Sequence, residues 1–101
     1  MRLSELEKHA LKHAALECFG SGTRLRLFGS RAQDSRKGGD IDLLIESTLA
    51  DPADIAKAHT RFLSQIYTRL GEQKVDVLID YPGRRSYPPI FRVAKDEGIV
   101  L

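Results

Sequence analysis

The sequence contains little cysteine, no tryptophan and no long apolar run, and these shortages exclude several classes of protein. Its one cysteine, Cys18, cannot form an intramolecular disulfide, which excludes a scaffold held together by disulfides. Its apolar runs are only a few residues long, far short of the roughly 20 needed to span a bilayer. No charged and then apolar leader follows Met1, so we expect a cytoplasmic protein without a membrane segment.

The chain also lacks a strong excess of either charge. A formal net charge of +2, from 16 basic and 14 acidic residues, argues against a general nucleic-acid binder, which usually carries a basic stripe and a larger excess. A length of 101 residues is enough for one modest hydrophobic core and too short for two. We therefore expect residues 1–101 to form a single domain.

Three segments show the apolar spacing of an amphipathic helix. The first covers residues 4–19 and opens with the Ser-x-x-Glu pattern of a capping box. The second starts at Asp51-Pro52, a good capping pair, and Gly71 ends it. A shorter helix is predicted from Ile90 onward.

Three further segments have the alternation of β-strands, at residues 23–28, 41–46 and 74–80. The middle one is apolar on both faces at Leu43-Leu44-Ile45, which predicts a central, covered strand. The apolar tail at residues 99–101 fits either a fourth strand or a contact surface.

A glycine and a small hydroxyl follow the first predicted strand. At Gly29-Ser30 the missing side chain and the short one let an anion approach several backbone N–H groups. A short helical turn is predicted over residues 30–33, followed by a polar loop over residues 34–39. The pattern therefore favours a phosphate-binding turn.

Acidic residues stand inside the two later strands. Asp40 and Asp42 leave the same strand face, roughly 6–7 Å apart at their origins, and Asp76 lies on the third strand. Carboxylates in an apolar strand are costly unless they are paired or bind metal, and Mg²⁺ prefers oxygen ligands. We expect the three to converge beside Ser30 as a site for two Mg²⁺ ions, with Asp76 also accepting a proton.

These residues carry a family resemblance. Phe28-Gly29-Ser30-Arg31-Ala32, then Asp40-Ile41-Asp42-Leu43 and Val75-Asp76-Val77, resemble the minimal nucleotidyltransferase (MNT) family of the DNA polymerase β superfamily. The resemblance covers most of the chain. It implies an α/β (α+β) nucleotidyltransferase fold, a small mixed β-sheet in the order helix-strand-helix-strand-helix-strand-helix with helices packed on the sheet.

The same resemblance implies roles for individual residues. Gly29 and Ser30 would bind nucleotide phosphates, Asp40 and Asp42 would each bind both metal ions, and Asp76 would bind the catalytic one. The neighbouring Arg31, with Arg36 and Lys37, fits either neutralisation of a triphosphate or ordinary loop solvation. Asp80 shares the strand face of Asp76, but we expect it to cap the strand end.

Two functions follow as expectations. The first is Mg²⁺-dependent transfer of a nucleoside monophosphate, with AMP from ATP favoured over other nucleotides, to a hydroxyl on a partner protein. The resemblance implies that this partner is a HEPN-type toxin, for which the chain would be the antitoxin. The second is a nucleotidyltransferase-like binding module, catalytically weak or inactive, that neutralises or scaffolds a partner by contact. A homo-oligomer is compatible with both, and a cluster of Tyr81, Arg84, Arg85 and Tyr87 fits base stacking or a partner contact.

Overall fold

The computed structural model describes residues 1–33 and 39–101, and capping residues mark the ends of its two longer helices. Within these ranges there are three helices, α1 (Glu5–Phe19), α2 (Pro52–Leu70) and α3 (Ile90–Glu97). Ser4 and Glu7 form both hydrogen bonds of the predicted capping box, and Asp51 caps α2. None of the helices in the described ranges combines the length and hydrophobicity needed to cross a bilayer.

The described strands form a four-stranded mixed sheet, which confirms the α+β class. They are β1 (Arg24–Phe28), β2 (Ile41–Glu46), β3 (Val75–Asp80) and β4 (Ile99–Val100), in the order β3-β2-β1-β4. β1 is antiparallel to β2 and β4, whereas β2 and β3 are parallel. A short 3-10 helix, Gly29–Ala32, follows β1 and is called the 3-10 turn below. The apolar tail therefore supplies a fourth strand, which was one of its two expected roles.

The two faces of the sheet are covered to different extents. α1 and α2 pack on one face, where the large fully buried side chains include Leu11, Phe19 and Phe62. α3 covers part of the other face through Phe91 and Ala94, which pack with buried or half-buried side chains of all three longer strands, Phe28, Leu44 and Leu78. Because side chains alternate along a strand, Asp42 shares the α3 face with Leu44.

Asp80 fastens α3 to the end of β3. Its carboxylate accepts hydrogen bonds from the Tyr87 hydroxyl at 2.6 Å and from Lys95 Nζ at 2.8 Å. Burial alone would raise the pKa of Asp80, but these two donors outweigh it and hold the pKa below its ordinary value. Arg84 stacks on Phe91 beside this contact, 4.4 Å from the ring centroid, so it is engaged within the fold.

Replacing Asp80 with alanine should lower the free energy of unfolding by about 1–3 kcal/mol at neutral pH, the usual loss for hydrogen bonds to a charged group. Because the folded-state pKa of Asp80 is depressed, its contribution is present above the unfolded-state pKa and is lost as the pH falls through the folded value. The difference between Asp80→Ala and the parent protein should therefore shrink below about pH 4. Urea unfolding at both pH values measures it.

Asp96→Ala is the matched control, because Asp96 forms an ion pair with Arg92 at 3.7 Å in which both side chains are mostly exposed. Its cost should stay below about 1 kcal/mol. Equal losses of stability in the two variants, or a loss in Asp80→Ala that does not change with pH, would contradict the role of Asp80 in holding α3 against β3.

Candidate active site

Parallel pairing of β2 with β3 brings two of the predicted acids opposite each other. Asp42 and Asp76 are register partners, so their side chains leave the same face of the sheet. The same pairing extends to the residue before β3, because the Ile41 N–H donates a hydrogen bond of 3.1 Å to the Lys74 carbonyl. Asp42 and Asp76 are called the first acid pair.

The first acid pair is in side-chain contact, and the contact is electrostatically unfavourable when both groups are ionised. Burial raises the pKa of Asp42 most, and the negative charges of Asp76 and Asp40 and a hydrogen bond with Asp76 raise it further, whereas the charge of Lys74 lowers it. Among the described residues, no basic side chain forms an ion pair with Asp42 or Asp76. The pair is therefore a place where a cation would bind favourably.

The same two strands carry a second acid pair, Glu46 and Asp80, which are also register partners. Here the fold supplies its own cations. Arg26 Nε lies 2.7 Å from Glu46 Oε1, and Lys95 Nζ lies 2.8 Å from Asp80 Oδ2. The two acid pairs thus have the same backbone arrangement but differ in their basic partners. Among the described residues, both members of the second pair form an ion pair, and neither member of the first pair does.

Asp40, the third predicted acid, lies just before β2 and interacts with a residue that was not singled out from the sequence. Lys74 Nζ is 3.4 Å from Asp40 Oδ2, and the two side chains are 71% and 42% exposed. A hydrogen bond to Asp40, then the charges of Asp40, Asp76 and Asp42, raises the pKa of Lys74. A signal was present in the sequence, because Lys74 precedes Asp76 by two residues and so shares its face.

Two glycines bring the 3-10 turn against the acids. Gly29 has φ +73°, and a Cβ built there would collide with the carboxylate of Asp42. Gly39 has φ +95°, and a Cβ there would collide with the hydroxyl of Ser30. The predicted phosphate turn and the first acid pair are thus neighbours in space.

Arg31 is held by the fold itself. Its guanidinium donates to the Gly39 carbonyl at 3.3 Å and to the Arg2 carbonyl at 3.0 Å, and it lies 3.7 Å from the Glu7 carboxylate. Arg2 in turn donates to the Ser30 carbonyl at 3.1 Å. Arg31 therefore ties the N-terminal segment to the 3-10 turn and to the residue before Asp40. The other basic candidates, Arg36 and Lys37, and most of the predicted loop over residues 34–39 lie outside the described residues.

The described residues contain no ready-made cage of three or more His, Cys, Asp and Glu side chains around one metal position. Asp42 and Asp76 are in contact, whereas Asp40 is paired with Lys74. The donors are nevertheless all carboxylate oxygens, which suit Mg²⁺, and Mg²⁺ usually takes several further ligands from water and substrate phosphates. The residues present therefore supply oxygen ligands of the type this ion takes, as part of a ligand set.

The chain was compared with protein-family models and with curated protein sequences. No family model matches it, and none of the curated proteins matches it. The resemblance of its motifs to the MNT family therefore stays a prediction.

Replacing Asp42 with asparagine should stabilise the metal-free protein at neutral pH, by up to about 1 kcal/mol, because like charges opposite each other in a sheet are destabilising. The folded-state pKa of Asp42 is raised, so ionisation costs the parent protein stability as the pH rises through the unfolded and then the folded value. The gain should disappear at about pH 3, where the carboxyl group is neutral in both states. Denaturant unfolding with a chelator present measures the gain in stability at neutral pH and its loss at about pH 3.

The second acid pair supplies the matched control. Glu46→Gln should have the opposite sign and destabilise the protein by about 0.5–2 kcal/mol, because it weakens the contact with Arg26. A loss of stability in both variants would show that the contact between Asp42 and Asp76 is as favourable as the one at Glu46, and would contradict an unfavourable first acid pair.

Proposed function

We propose that this chain is a Mg²⁺-dependent nucleotidyltransferase of the MNT type, with the nucleotidyltransferase fold. It would transfer a nucleoside monophosphate, with AMP from ATP as the favoured case, to a hydroxyl group of a partner protein in the cytoplasm. The observation that carries the proposal is the first acid pair, which lies beside the 3-10 turn and forms no ion pair among the described residues, with the charge of Lys74 as its nearest basic influence.

The contrast between the two acid pairs strengthens this proposal. Both are built on the same pair of parallel strands, and the fold neutralises Glu46 and Asp80 with Arg26 and Lys95. For a purely structural role a basic partner or a neutral replacement would be more stable, since like charges opposite each other in a sheet are destabilising. A site that awaits divalent cations accounts for the difference.

The chemistry follows from the groups at the site. The acceptor hydroxyl oxygen attacks the α-phosphorus, a new O–P bond forms, and the bond to the bridging oxygen breaks so that pyrophosphate leaves. Bound Mg²⁺ would supply charge neutralisation for the phosphates and the leaving group. In this assignment Asp40, Asp42 and Asp76 would hold the ions, and Asp76, which is exposed, would take up the hydroxyl proton. Gly29 and Ser30 would contact the phosphates through the 3-10 turn, and Arg31 would hold that turn in place.

A protein acceptor is supported by the apolar surface that β4 leaves exposed. β4 is an edge strand, and its residues Ile99 and Val100 are 37% and 51% exposed. Exposed apolar edges of this kind are suited to contact with another protein. The MNT resemblance points to a HEPN-type toxin as that partner.

The enzyme assignment is tested by incubating the protein with ATP labelled at the α-phosphate, MgCl₂ and the product of the neighbouring gene. Label should pass to that protein and depend on Mg²⁺. Asp42→Asn and Asp76→Asn should each reduce the rate by about 100-fold or more, because each removes a group at the reacting phosphate.

Asp96→Asn is the control for the loss of one carboxylate, since Asp96 is exposed on α3 and pairs with the exposed Arg92. It should transfer label at the parent rate. No transfer by the parent protein, or equal transfer by the Asp42 and Asp76 variants, would contradict the assignment.

One observation favours the alternative of an inactive binding module. Lys74 already offsets part of the negative charge near Asp40, so the acids are not wholly without a cation when no metal is bound. In that case the protein would neutralise its partner by contact. Complex formation in size-exclusion chromatography, unchanged by Asp42→Asn and without label transfer, would support it.

A further inference from the structure

Lys74 holds a position that the proposed chemistry does not use. It lies immediately before β3, on the same strand face as Asp76, and its ammonium group is 3.4 Å from Asp40. Its side chain is 71% exposed, and no other ion pair holds it in the described structure. Its ammonium group is therefore carried on an exposed side chain and lies beside the acidic residues.

We propose that Lys74 is an internal counter-ion that competes with divalent cations for the acids and so sets the cation concentration at which the site fills. The inference rests on the proposed function, because it takes Asp40, Asp42 and Asp76 to be the cation ligands. It assigns Lys74 no contact with the reacting atoms, and Lys74 acts only through its ion pair with Asp40.

Proximity and charge make the competition direct. An ammonium 3.4 Å from a carboxylate oxygen occupies space and hydrogen-bonding capacity that a metal ion at Asp40 would need. Its positive charge also repels a divalent cation at the neighbouring acid pair, Asp42 and Asp76. Cation binding therefore requires the Lys74 side chain to swing away into solvent, which its exposure allows.

The geometry limits the size of the effect. An ion pair this exposed contributes at most about 1 kcal/mol, which corresponds to a change of up to roughly five-fold in an equilibrium constant. Lys74 is thus expected to tune the affinity for the cation. By contrast, Lys95, which is 2.8 Å from the largely buried Asp80, is a permanent partner of the second acid pair.

Titration with Mn²⁺ alone, followed through the electron paramagnetic resonance signal of the free ion, tests the competition without any turnover. Mn²⁺ shares the oxygen-ligand preference of Mg²⁺. Lys74→Gln should bind Mn²⁺ roughly two- to five-fold more tightly than the parent protein. Lys74→Arg, which keeps the charge, should bind like the parent, and so should Lys57→Gln, which removes an exposed lysine from α2. Asp42→Asn should bind at least about tenfold more weakly.

The outcomes separate this inference from the function on which it rests. Unchanged or weaker Mn²⁺ binding by Lys74→Gln, with a clear loss in Asp42→Asn, would overturn the role of Lys74 and leave the cation site standing. Equal tightening by Lys74→Gln and Lys57→Gln would reduce the effect to net charge and also overturn it. If Asp42→Asn binds Mn²⁺ as tightly as the parent protein, the proposed cation site itself is wrong. Label transfer tests the reaction separately, so a failed transfer with the expected Mn²⁺ pattern would overturn only the enzyme assignment.

Discussion

The contact between Asp42 and Asp76 is the constraint on which the rest of the site depends. Parallel pairing of β2 and β3 places the two carboxylates opposite each other, and burial and like charge raise the pKa of Asp42. A protein selected only for stability would replace one of them or bring a basic residue to them. The same strands do so four residues further on, where Arg26 and Lys95 neutralise Glu46 and Asp80. The candidate active site therefore lies at the end of the β2–β3 pair where the two carboxylates have no ion-pair partner among the described residues.

The surrounding elements position this contact and leave it accessible. α1 and α2 cover one face of the sheet, and α3 covers the other face only over part of its length, where it is held by Asp80. The 3-10 turn reaches the acids from β1, because Gly29 lacks the Cβ that would strike Asp42. Arg31 connects this turn to α1 through Glu7 and to the start of β2 through Gly39.

Local signals in the sequence were enough for most of the fold. The capping box at Ser4, the Asp51 cap and the covered strand at residues 41–46 are present as predicted, because each depends on residues close together in the chain. Strand alternation also placed Asp42 on the strand face opposite Ile41 and Leu43, and Asp76 on the face opposite Val75 and Val77. It did not show that the two acids are register partners, nor that Lys74 lies at Asp40 and that Arg31 is held by the Arg2 carbonyl. Those contacts join segments about 30 residues apart and depend on strand register and helix packing.

The most direct measurement of the central claim is the effect of Mg²⁺ with a non-hydrolysable ATP analogue on the free energy of unfolding of the parent protein and of Asp42→Asn. If the first acid pair is a cation site, the ligands should stabilise the parent protein, by about 2.7 kcal/mol at 100 times the dissociation constant. The same ligands should have little effect on Asp42→Asn. Equal stabilisation of both proteins, or of neither, would contradict the claim that the first acid pair is a metal–nucleotide site.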